Sequence, residues 1–319
     1  MRTGRSDLSR RLAGTALGYV ADQFIGELPN QLHPLRAFGH LVSLVERRTY
    51  RDDRLAGVGY TAVGVATGVL CGVAVASTTA GTYLSCGGRE LAAAARTVDL
   101  ALAQTDLATA RTAIGSLVGR DSASLDEGEL ARAVVESVAE NTVDAVIAPL
   151  VFAAAAGAPG ALGYRAANTL DALVGYRTSR YARFGWASAR LDDALNYLPA
   201  RLTALLVMVV RPRRAREVYR AVRRDAPAHP SPNAGVAEAA FAAALGLRLG
   251  GASSYGGIVE HRPPLGDGSP PQRADIARAV RLSRHVGMLA AASAGVASVC
   301  LRGGRIDRPT RIRPQRGPR

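Results

Sequence analysis

Acidic side chains at helical spacing single out residues 132–201 as the stretch where chemistry is expected. Glu136, Glu140 and Asp144 follow one another at i, i+4 and i+8, so a helix places their carboxylates along one face. Like charges on one face repel one another unless a cation lies among them, which predicts a bound ligand. Further oxygen donors follow at short intervals: Asn168, Asp171, Asp192, Asp193 and Asn196. Oxygen ligands from several helices suit a hard cation such as Mg²⁺, which usually also binds substrate phosphates.

An uncharged apolar tract, residues 146–163, begins just after Asp144. The acidic face therefore lies where a helix enters a region of low dielectric constant. An unpaired charge in such a place is costly and usually functional. A second interpretation stays open, because arginines and carboxylates can also form a network that only neutralises itself.

The composition indicates a membrane protein. The chain has 319 residues, a net charge of +14 and a hydrophobic fraction of 48%, and all 40 basic residues are arginine. Without lysine the chain has no Walker A phosphate loop. Nucleic acid is not an expected partner, because the arginines flank apolar segments and aromatic residues make up only 5% of the chain. A lipid membrane is the partner that the apolar content favours.

Cysteine and histidine give no sign of a disulfide or a zinc site. The three cysteines form no CxxC pair, and the five histidines lack HxxH or HExxH spacing. The cysteines are therefore expected to act as small hydrophobic side chains.

The elements that position the acidic residues begin with apolar and amphipathic segments. Residues 1–11 are polar and arginine-rich, and no signal-peptide cleavage site follows them. An amphipathic pattern at residues 35–45 predicts a helix along the membrane surface. His33 and Arg36, just after a break in the chain, are candidates for anion binding, with a surface turn as the alternative. Residues 55–84 carry no charge and exceed the about 20 residues that a bilayer span needs, which predicts a transmembrane helix.

A soluble pattern returns at residues 88–130 and predicts a helical hairpin outside the bilayer. Ser124, with Glu127 three residues on, is the expected cap of the helix that carries Glu136. Such a cap would give the acidic helix a defined start.

Beyond the acidic stretch, residues 198–210 are apolar but short, and seven arginines follow between residues 211 and 224. A single span and a re-entrant or interfacial helix both stay open for residues 198–210, because the preceding segment is basic too. An alanine-rich helix is predicted to end at Gly250 and Gly251, and residues 286–301 form a last apolar segment. The 211–224 arginines and the basic tail at 302–319 are both expected in the cytoplasm.

These patterns predict an all-α, multi-pass integral membrane protein with additional amphipathic and cytoplasmic helices. No segment shows a secure strand pattern, and no repeat of the solenoid type is present. Residues 1–319 are expected to form one membrane domain, with a polar end at 1–11 and a basic tail at 302–319.

Several long motifs resemble one known family. The run ENTVDAVIAPLVFAAAAGAPGALGYRAANTLDALVGYRTSRYARFGWASARLDDALNYLPARLTALL is similar to the signature of the CobD/CbiB family, the adenosylcobinamide-phosphate synthases of vitamin B12 biosynthesis. Shorter pieces fit as well: LHPLRAFGHL, GRDS, HPSPNAGVAEAA and LGLRLGG. The resemblance spans residues 15–285, and it departs at Leu35, where the family usually has valine.

The resemblance implies a multi-pass enzyme of the inner (plasma) membrane. Such an enzyme joins (R)-1-amino-2-propanol, or its O-phosphate, to the free propionate carboxylate of adenosylcobyric acid, and the family is taken to use ATP and Mg²⁺. Elementary chemistry agrees, because a carboxylate and an amine do not condense in water unless the acid is activated, for example as an acyl phosphate. Phosphoryl transfer needs a metal and cationic side chains, and in this chain those are arginines.

Site roles follow from the resemblance and this chemistry together. The candidate catalytic residues are Glu136, Glu140, Asn141 and Asp144. The candidate metal ligands are Glu136, Glu140, Asp144, Asp171, Asp192 and Asp193. The candidate substrate-binding residues are His33, Arg36, Arg120, Asn168, Asp171, Arg180, Arg190, Asn196, Arg201, His229 and Asn233.

Two other functions stay open as alternatives. A membrane prenyltransferase also binds Mg²⁺-diphosphate through aspartate-rich helix pairs, but its usual NDxxDxxxD or DxxxD runs are absent from this chain. A transporter would also place carboxylates near the bilayer, but it would need more full-length spans than the two or three that the sequence supports.

Overall fold

The computed structural model describes residues 2–26, 34–118, 121–176, 178–255 and 258–303. The helices that precede the acidic stretch are α1 (Arg2–Ile25), α2 (Pro34–Thr49), α3 (Arg54–Val75), α4 (Thr78–Ser85), α5 (Gly88–Ala103) and α6 (Leu107–Ala113). The later elements are α7 (Glu127–Thr142), α8 (Ala148–Val174), α9 (Trp186–Val210), α10 (Ala215–Asp225), α11 (Ala234–Leu245), β1 (Leu249–Tyr255), β2 (Ile258–Leu265) and α12 (Arg273–Gly303). The helical fold class is confirmed, whereas the expectation of no strand is wrong at one antiparallel hairpin, β1–β2.

Within the described residues, four helical stretches are long and apolar enough to cross a membrane, which confirms a multi-pass membrane protein. They are Arg54–Val75, Glu127–Val174, Trp186–Val210 and Arg273–Arg302. Two of them extend segments that look short in the sequence. The apolar residues 198–210 belong to α9 and residues 286–301 belong to α12, and each helix begins about twelve residues earlier in a more polar sequence.

The predicted span at residues 55–84 is not one helix. Ala76 takes a left-handed conformation with φ 54°, which ends α3, and the Ser77 side chain then accepts a hydrogen bond from the Ala80 N–H to cap α4. The chain turns here because a left-handed residue cannot continue an α-helix. The resulting α3 has 22 residues, close to the length that a bilayer needs.

The long acidic-to-apolar stretch folds back on itself at Gly157. This residue has φ 68° and ψ −152°, outside the helical region, and Pro159 follows two residues later. The rings of Phe152 and Tyr164 stack with their centroids 5.1 Å apart, whereas twelve residues of straight helix would separate them by about 18 Å. Residues 127–156, here called the first arm, and residues 158–174, the second arm, are therefore antiparallel.

Glycines let α3 approach the second arm closely. A Cβ built at Gly64 would lie 2.7 Å from the Leu170 side chain, and one at Gly72 would lie 2.4 Å from the Pro159 backbone. Small residues on one face of a membrane helix allow close backbone contact with its neighbour. The second arm is held along α3 by this contact.

The acidic helix begins with a different cap from the one predicted. Asp126 accepts a hydrogen bond from the Glu129 N–H, and the Glu129 side chain accepts one from the Asp126 N–H, which forms a capping box. The expected Ser124–Glu127 cap is therefore wrong by two residues. The predicted end of the alanine-rich helix is also wrong, because Gly246, with φ 71°, terminates α11, and Gly250 and Gly251 lie in β1.

Asp225 ties the end of α10 to the loop after β2. Its carboxylate is bonded by the Arg224 guanidinium and accepts the Gly266 N–H at 2.9 Å. Burial raises the pKa of Asp225. These hydrogen bonds have the opposite and larger effect, so the pKa lies below the usual range. The carboxylate is therefore ionised in the folded protein at neutral pH.

The two ends of α12 contact different parts of the protein. Arg278, near its start, donates to the Leu245 carbonyl, and Arg214 donates to the nearby Ala243 carbonyl. Arg302, near its end, donates to Ser9 at 2.9 Å, about 36 Å away along the helix. If α12 crosses the membrane once, the 211–224 arginines and Arg302 lie on opposite sides of it; the predicted position of the basic tail falls on residues 304–319, outside the described part of the chain.

Candidate functional site

Five carboxylates come together where the first arm, the second arm and α9 meet. Asp144 interacts electrostatically with Asp192 and Glu140, and Asp171 interacts with Asp192, Asp193 and Glu140. These five residues are here called the carboxylate cluster. The reversal at Gly157 makes the cluster possible, because a straight helix would place Asp144 and Asp171 about 40 Å apart.

Asparagine side chains hold the central carboxylates in place. Asn168 Nδ2 donates to Asp192 Oδ1 at 3.1 Å, and Asn168 is also hydrogen-bonded to the Asp144 side chain. Asn196 Nδ2 donates to the other Asp192 oxygen at 3.0 Å. Tyr164 in turn donates to Asn196 Oδ1 at 2.8 Å. The amides therefore fix the orientation of the Asp144 and Asp192 carboxylates, which lie on different elements.

Among the described residues, two arginines lie beside the carboxylate cluster. Arg165 interacts with Asp144 and Asp192 and donates to Asn168 Oδ1 at 3.2 Å. Arg190 forms an ion pair with Asp193 at 3.6 Å. Within the described part of the chain, these two cations face five carboxylates, so an added cation would be attracted to the cluster when the carboxylates are ionised.

Asp144 lies in a π-helical segment, Val143–Ile147, between α7 and α8. Such segments are rare and are frequently found at functional sites, because the wider turn redirects a side chain from its α-helical position. Asp144 is half-buried, and Glu140, one turn earlier, is exposed. The cluster therefore has a solvent-accessible side.

Glu136 faces a different neighbour. Its carboxylate is buried and accepts the Gly250 N–H at 2.9 Å, and it interacts with His229. The prediction of one acidic face on this helix thus holds for the spacing, but the structure places Glu136 against β1 and the other two carboxylates in the cluster. Asn141 donates to the Ser137 carbonyl at 2.9 Å, one turn back on α7.

Among the described residues, no three histidine, cysteine, aspartate or glutamate side chains are arranged to hold a metal ion. The six predicted metal ligands therefore do not form a ready-made cage. Magnesium usually takes one or two carboxylates together with substrate phosphates and water. Asp144 and Asp192, linked by Asn168 in a negatively charged surrounding, provide donors of that type and number.

Arg201 and Asn233 adjoin the cluster through the backbone of α9. Arg201 donates to Asn233 Oδ1 at 2.9 Å, and Asn233 donates to the Asp193 carbonyl at 2.7 Å. The Arg201 guanidinium also lies 3.7 Å from the centre of the Tyr197 ring, which favours a fixed position for the charge. These contacts bring the HPSPN segment to the edge of the cluster.

His229 is buried behind this edge. Its Nδ1 accepts the Ser231 N–H at 3.1 Å, and its Nε2 lies 3.8 Å from the Glu238 carboxylate. Burial lowers the pKa of His229, and the neighbouring Arg262 lowers it further. The imidazole is therefore neutral at pH 7, and its burial fits an internal position better than direct contact with a substrate.

The other predicted site residues lie elsewhere. Arg180 donates to Glu46 of α2 at 2.9 Å and lies over the Tyr50 ring, and Arg36 is exposed on α2. The structure does not bring these two into the cluster. His33 and Arg120 lie outside the described residues. The sequence interpretation missed Tyr164 and Arg165, although their polar side chains at the end of the apolar tract were a usable signal.

The chain is similar to known proteins over most of its length. The model of the CobD/Cbib protein family matches residues 15–283. A cobalamin biosynthesis protein CobD from Mycobacterium tuberculosis (strain H37Rv) is 47% identical over 289 residues, which cover 86% of this chain and 92% of the relative. Proteins of the same name are 46% identical in Chromobacterium violaceum, covering 83% and 90%, and 36% identical in Clostridium perfringens, covering 86% and 92%. No solved structure matches this chain.

Proposed function

Because this chain belongs to the CobD/CbiB family, and its relatives in Mycobacterium tuberculosis and Chromobacterium violaceum are named cobalamin biosynthesis proteins, we propose that it forms an amide bond in that pathway. The acid is the free propionate of adenosylcobyric acid, and the amine is (R)-1-amino-2-propanol or its O-phosphate. The observation that carries the proposal is the Asn168 bridge between Asp144 and Asp192 in a cluster of five carboxylates.

The reaction requires activation of the acid. In the proposed sequence a propionate oxygen attacks the γ-phosphorus of ATP, so that an acyl phosphate forms and ADP leaves. The amine nitrogen then attacks the acyl carbon, the C–N bond forms, phosphate leaves and the nitrogen loses a proton. Neither step needs an oxidant or a reductant.

Asp144 and Asp192 are the residues that would hold Mg²⁺. The ion would supply positive charge next to the phosphate oxygens during transfer. Asn168 and Asn196 keep the two carboxylates at a fixed angle, so that little reorganisation is needed when substrates bind. Glu140 and Asp171 flank the pair and are placed to accept the proton that the amine releases.

Two arginines at the edge of the cluster are the proposed phosphate-binding residues. Arg190 and Arg201 lie on α9, on either side of Asp192 in the sequence, and guanidinium groups bind phosphate oxygens in a planar, two-point manner. In this arrangement the large corrinoid binds at a membrane-associated face of the protein. The protein acts as a multi-pass enzyme of the cell membrane.

The test is Asp144→Asn, which keeps the shape of the side chain and removes its charge. We expect amide formation in isolated membranes, normalised to folded protein, to fall about a hundredfold or more, because the metal's charge stabilisation is worth several kcal/mol and about 1.4 kcal/mol is a factor of ten. Asp52→Asn is the matched control. It removes the same charge from an exposed residue whose one ion pair among the described residues is a 3.9 Å contact with Arg183, and its turnover should stay near normal.

The outcome also separates the proposal from a purely structural network. If the carboxylates only balance nearby arginines, Asp144→Asn should lower the yield of folded protein while the remainder keeps near-normal turnover. Supplying the same membranes with an isoprenyl diphosphate and an acceptor tests the prenyltransferase alternative. Product from that pair, and none from the corrinoid pair, would replace the proposed reaction.

A further inference from the structure

Three arginines line a cavity that lies between the start of α7 and the base of the β hairpin. The cavity has a volume of about 470 Å³ and includes Arg132, Arg248 and Arg262 in its walls. It is here called the arginine cleft. Its size falls within the range of pockets for small molecules, about 300–1,000 Å³.

The two carboxylates in the wall of the arginine cleft are already engaged. Asp126 accepts the Glu129 N–H at 2.8 Å, and Glu129 accepts the Asp126 N–H at 3.0 Å, so both serve the helix cap. Arg132, by contrast, donates to the neutral carbonyl groups of Gly250 and Ala252. A guanidinium has five N–H donors, so these contacts fix the group and leave donors and charge for a ligand.

Arg248 supplies a second cation that the described residues do not neutralise. Its backbone is held in place, because its N–H donates to the Ser269 carbonyl at 2.9 Å. Its side chain is exposed and forms neither a hydrogen bond nor an ion pair within the described part of the chain. Arg262 enters the same cleft from β2, opposite Gly251 in the strand register.

Glycine keeps the arginine cleft open beside Arg132. Gly251 has φ 101°, and a Cβ at this position would lie 2.8 Å from Arg132 Nη1. A side chain there would displace the guanidinium and fill part of the cavity. The backbone can approach the guanidinium closely only because residue 251 has no side chain.

We propose that the arginine cleft binds a phosphate group of a small-molecule ligand. Guanidinium groups match the geometry of phosphate oxygens and bind them in pairs of hydrogen bonds. Arg132 precedes Asp144 by twelve residues, about 18 Å along the helix, so a phosphate in the cleft does not touch the carboxylate cluster. The cleft is therefore a second phosphate site, separate from the phosphates that react at the cluster, and its chemistry suits a nucleotide or the phosphorylated amine.

The experiment measures binding by calorimetry to the purified full-length protein in detergent. Three probes are used: a non-hydrolysable ATP analogue, 1-amino-2-propanol O-phosphate and inorganic phosphate. Arg248→Gln should lower the affinity for the probe that binds by at least about tenfold, because a hydrogen bond to a charged group is among the stronger polar contacts. Arg248 is exposed, so the variant should fold normally. Arg96→Gln, which removes the same charge from an exposed position on α5, should bind like the wild type.

The three probes identify the source of the phosphate. Loss of affinity for the ATP analogue alone assigns the cleft to the nucleotide, and loss for the phosphorylated amine alone assigns it to that substrate. The choice of probes rests on the proposed function, but binding does not depend on turnover. Retained phosphate binding without amide formation would refute the proposed reaction and leave the cleft assignment intact. The assignment is overturned if no probe binds the wild type, if Arg248→Gln binds as well as the wild type, or if Arg96→Gln loses as much.

Discussion

Replacing Gly157 by alanine should disrupt the reversal that assembles the carboxylate cluster. Gly157 has φ 68° and ψ −152°, a backbone region that is essentially restricted to glycine. A Cβ there would also lie 3.2 Å from Thr78 Oγ1. Alanine favours a continuous helix at this point, in which Asp144 and Asn168 would be about 36 Å apart instead of hydrogen-bonded.

The size of the effect can be estimated from the backbone alone. Holding a non-glycine residue in this region costs about 1–3 kcal/mol, and the close contact with Thr78 adds to the cost. Each ~1.4 kcal/mol changes a population ratio tenfold. Gly157→Ala should therefore lower the free energy of unfolding by about 2 kcal/mol and reduce the activity per molecule, because part of the population loses the reversal.

Gly59→Ala is a matched control for this substitution. Gly59 lies on an exposed face of α3, and a Cβ there meets no atom within 4 Å. Replacing a glycine by alanine within a helix stabilises it by roughly 0.5–1 kcal/mol, so the two variants should shift the unfolding temperature in opposite directions.

Thermal unfolding in detergent measures stability, and a short thiol crosslinker between cysteines placed at positions 152 and 164 measures the reversal. The second measurement needs a background without Cys71, Cys86 and Cys300. Gly157→Ala should reduce the crosslink yield along with the activity. If the variant keeps wild-type stability and crosslinks fully, the glycine is not required for the turn and the reasoning is wrong.

Three further outcomes are expected. Asp126→Ala should lower the free energy of unfolding by about 1 kcal/mol, whereas Ser124→Ala should leave it unchanged, because Asp126 is the cap. Asp225→Asn should be less stable than the wild type at pH 7. The difference should shrink as the pH falls below the unfolded value of about 3.9 and disappear below the lowered pKa of folded Asp225, where the carboxylate is protonated in both states. In a cysteine-free background, cysteines replacing Arg214 and Arg302 should be labelled by an impermeant reagent from opposite sides of the membrane, and labelling from the same side would show that α12 does not cross.

Helical periodicity and apolar tracts were sufficient to predict the helical, membrane-spanning fold class. Helical spacing placed Glu140 and Asp144 on one face, and both belong to the cluster. Pattern reasoning failed where one backbone conformation decides the result. Nothing in the hydrophobicity of residues 146–163 distinguishes a straight span from two arms, and the distinction depends on φ and ψ at Gly157. The Gly157-Ala158-Pro159-Gly160 combination was a signal for a break.

Glu136 shows a different limit of sequence reasoning. Its spacing from Glu140 is that of a shared helix face, yet its hydrogen-bond partner is the Gly250 N–H, 114 residues away. Periodicity describes how a helix presents its side chains, but it does not describe which element packs against each turn. The same limit applies to Arg180, whose partner Glu46 lies 134 residues earlier. Such assignments depend on tertiary contacts that one sequence does not reveal.

The position of the cluster along its helices bears on how substrates reach it. Asn168 lies six residues before Val174, the end of the second arm, and Asp192 lies six residues after Trp186, the start of α9, so each is about 9 Å from the same end of the bundle. The Arg54 guanidinium lies 5.3 Å from the Trp186 ring at this end, and tryptophan and arginine are typical of a membrane interface. In a hydrocarbon layer about 30 Å thick, the cluster therefore lies in the outer third. A cation or a phosphate would reach Asp192 from water by moving less than two helical turns inward. This shallow depth reduces the free-energy cost of holding ionised carboxylates beside the apolar tract. No deeply buried counter-ion is therefore needed to offset that cost.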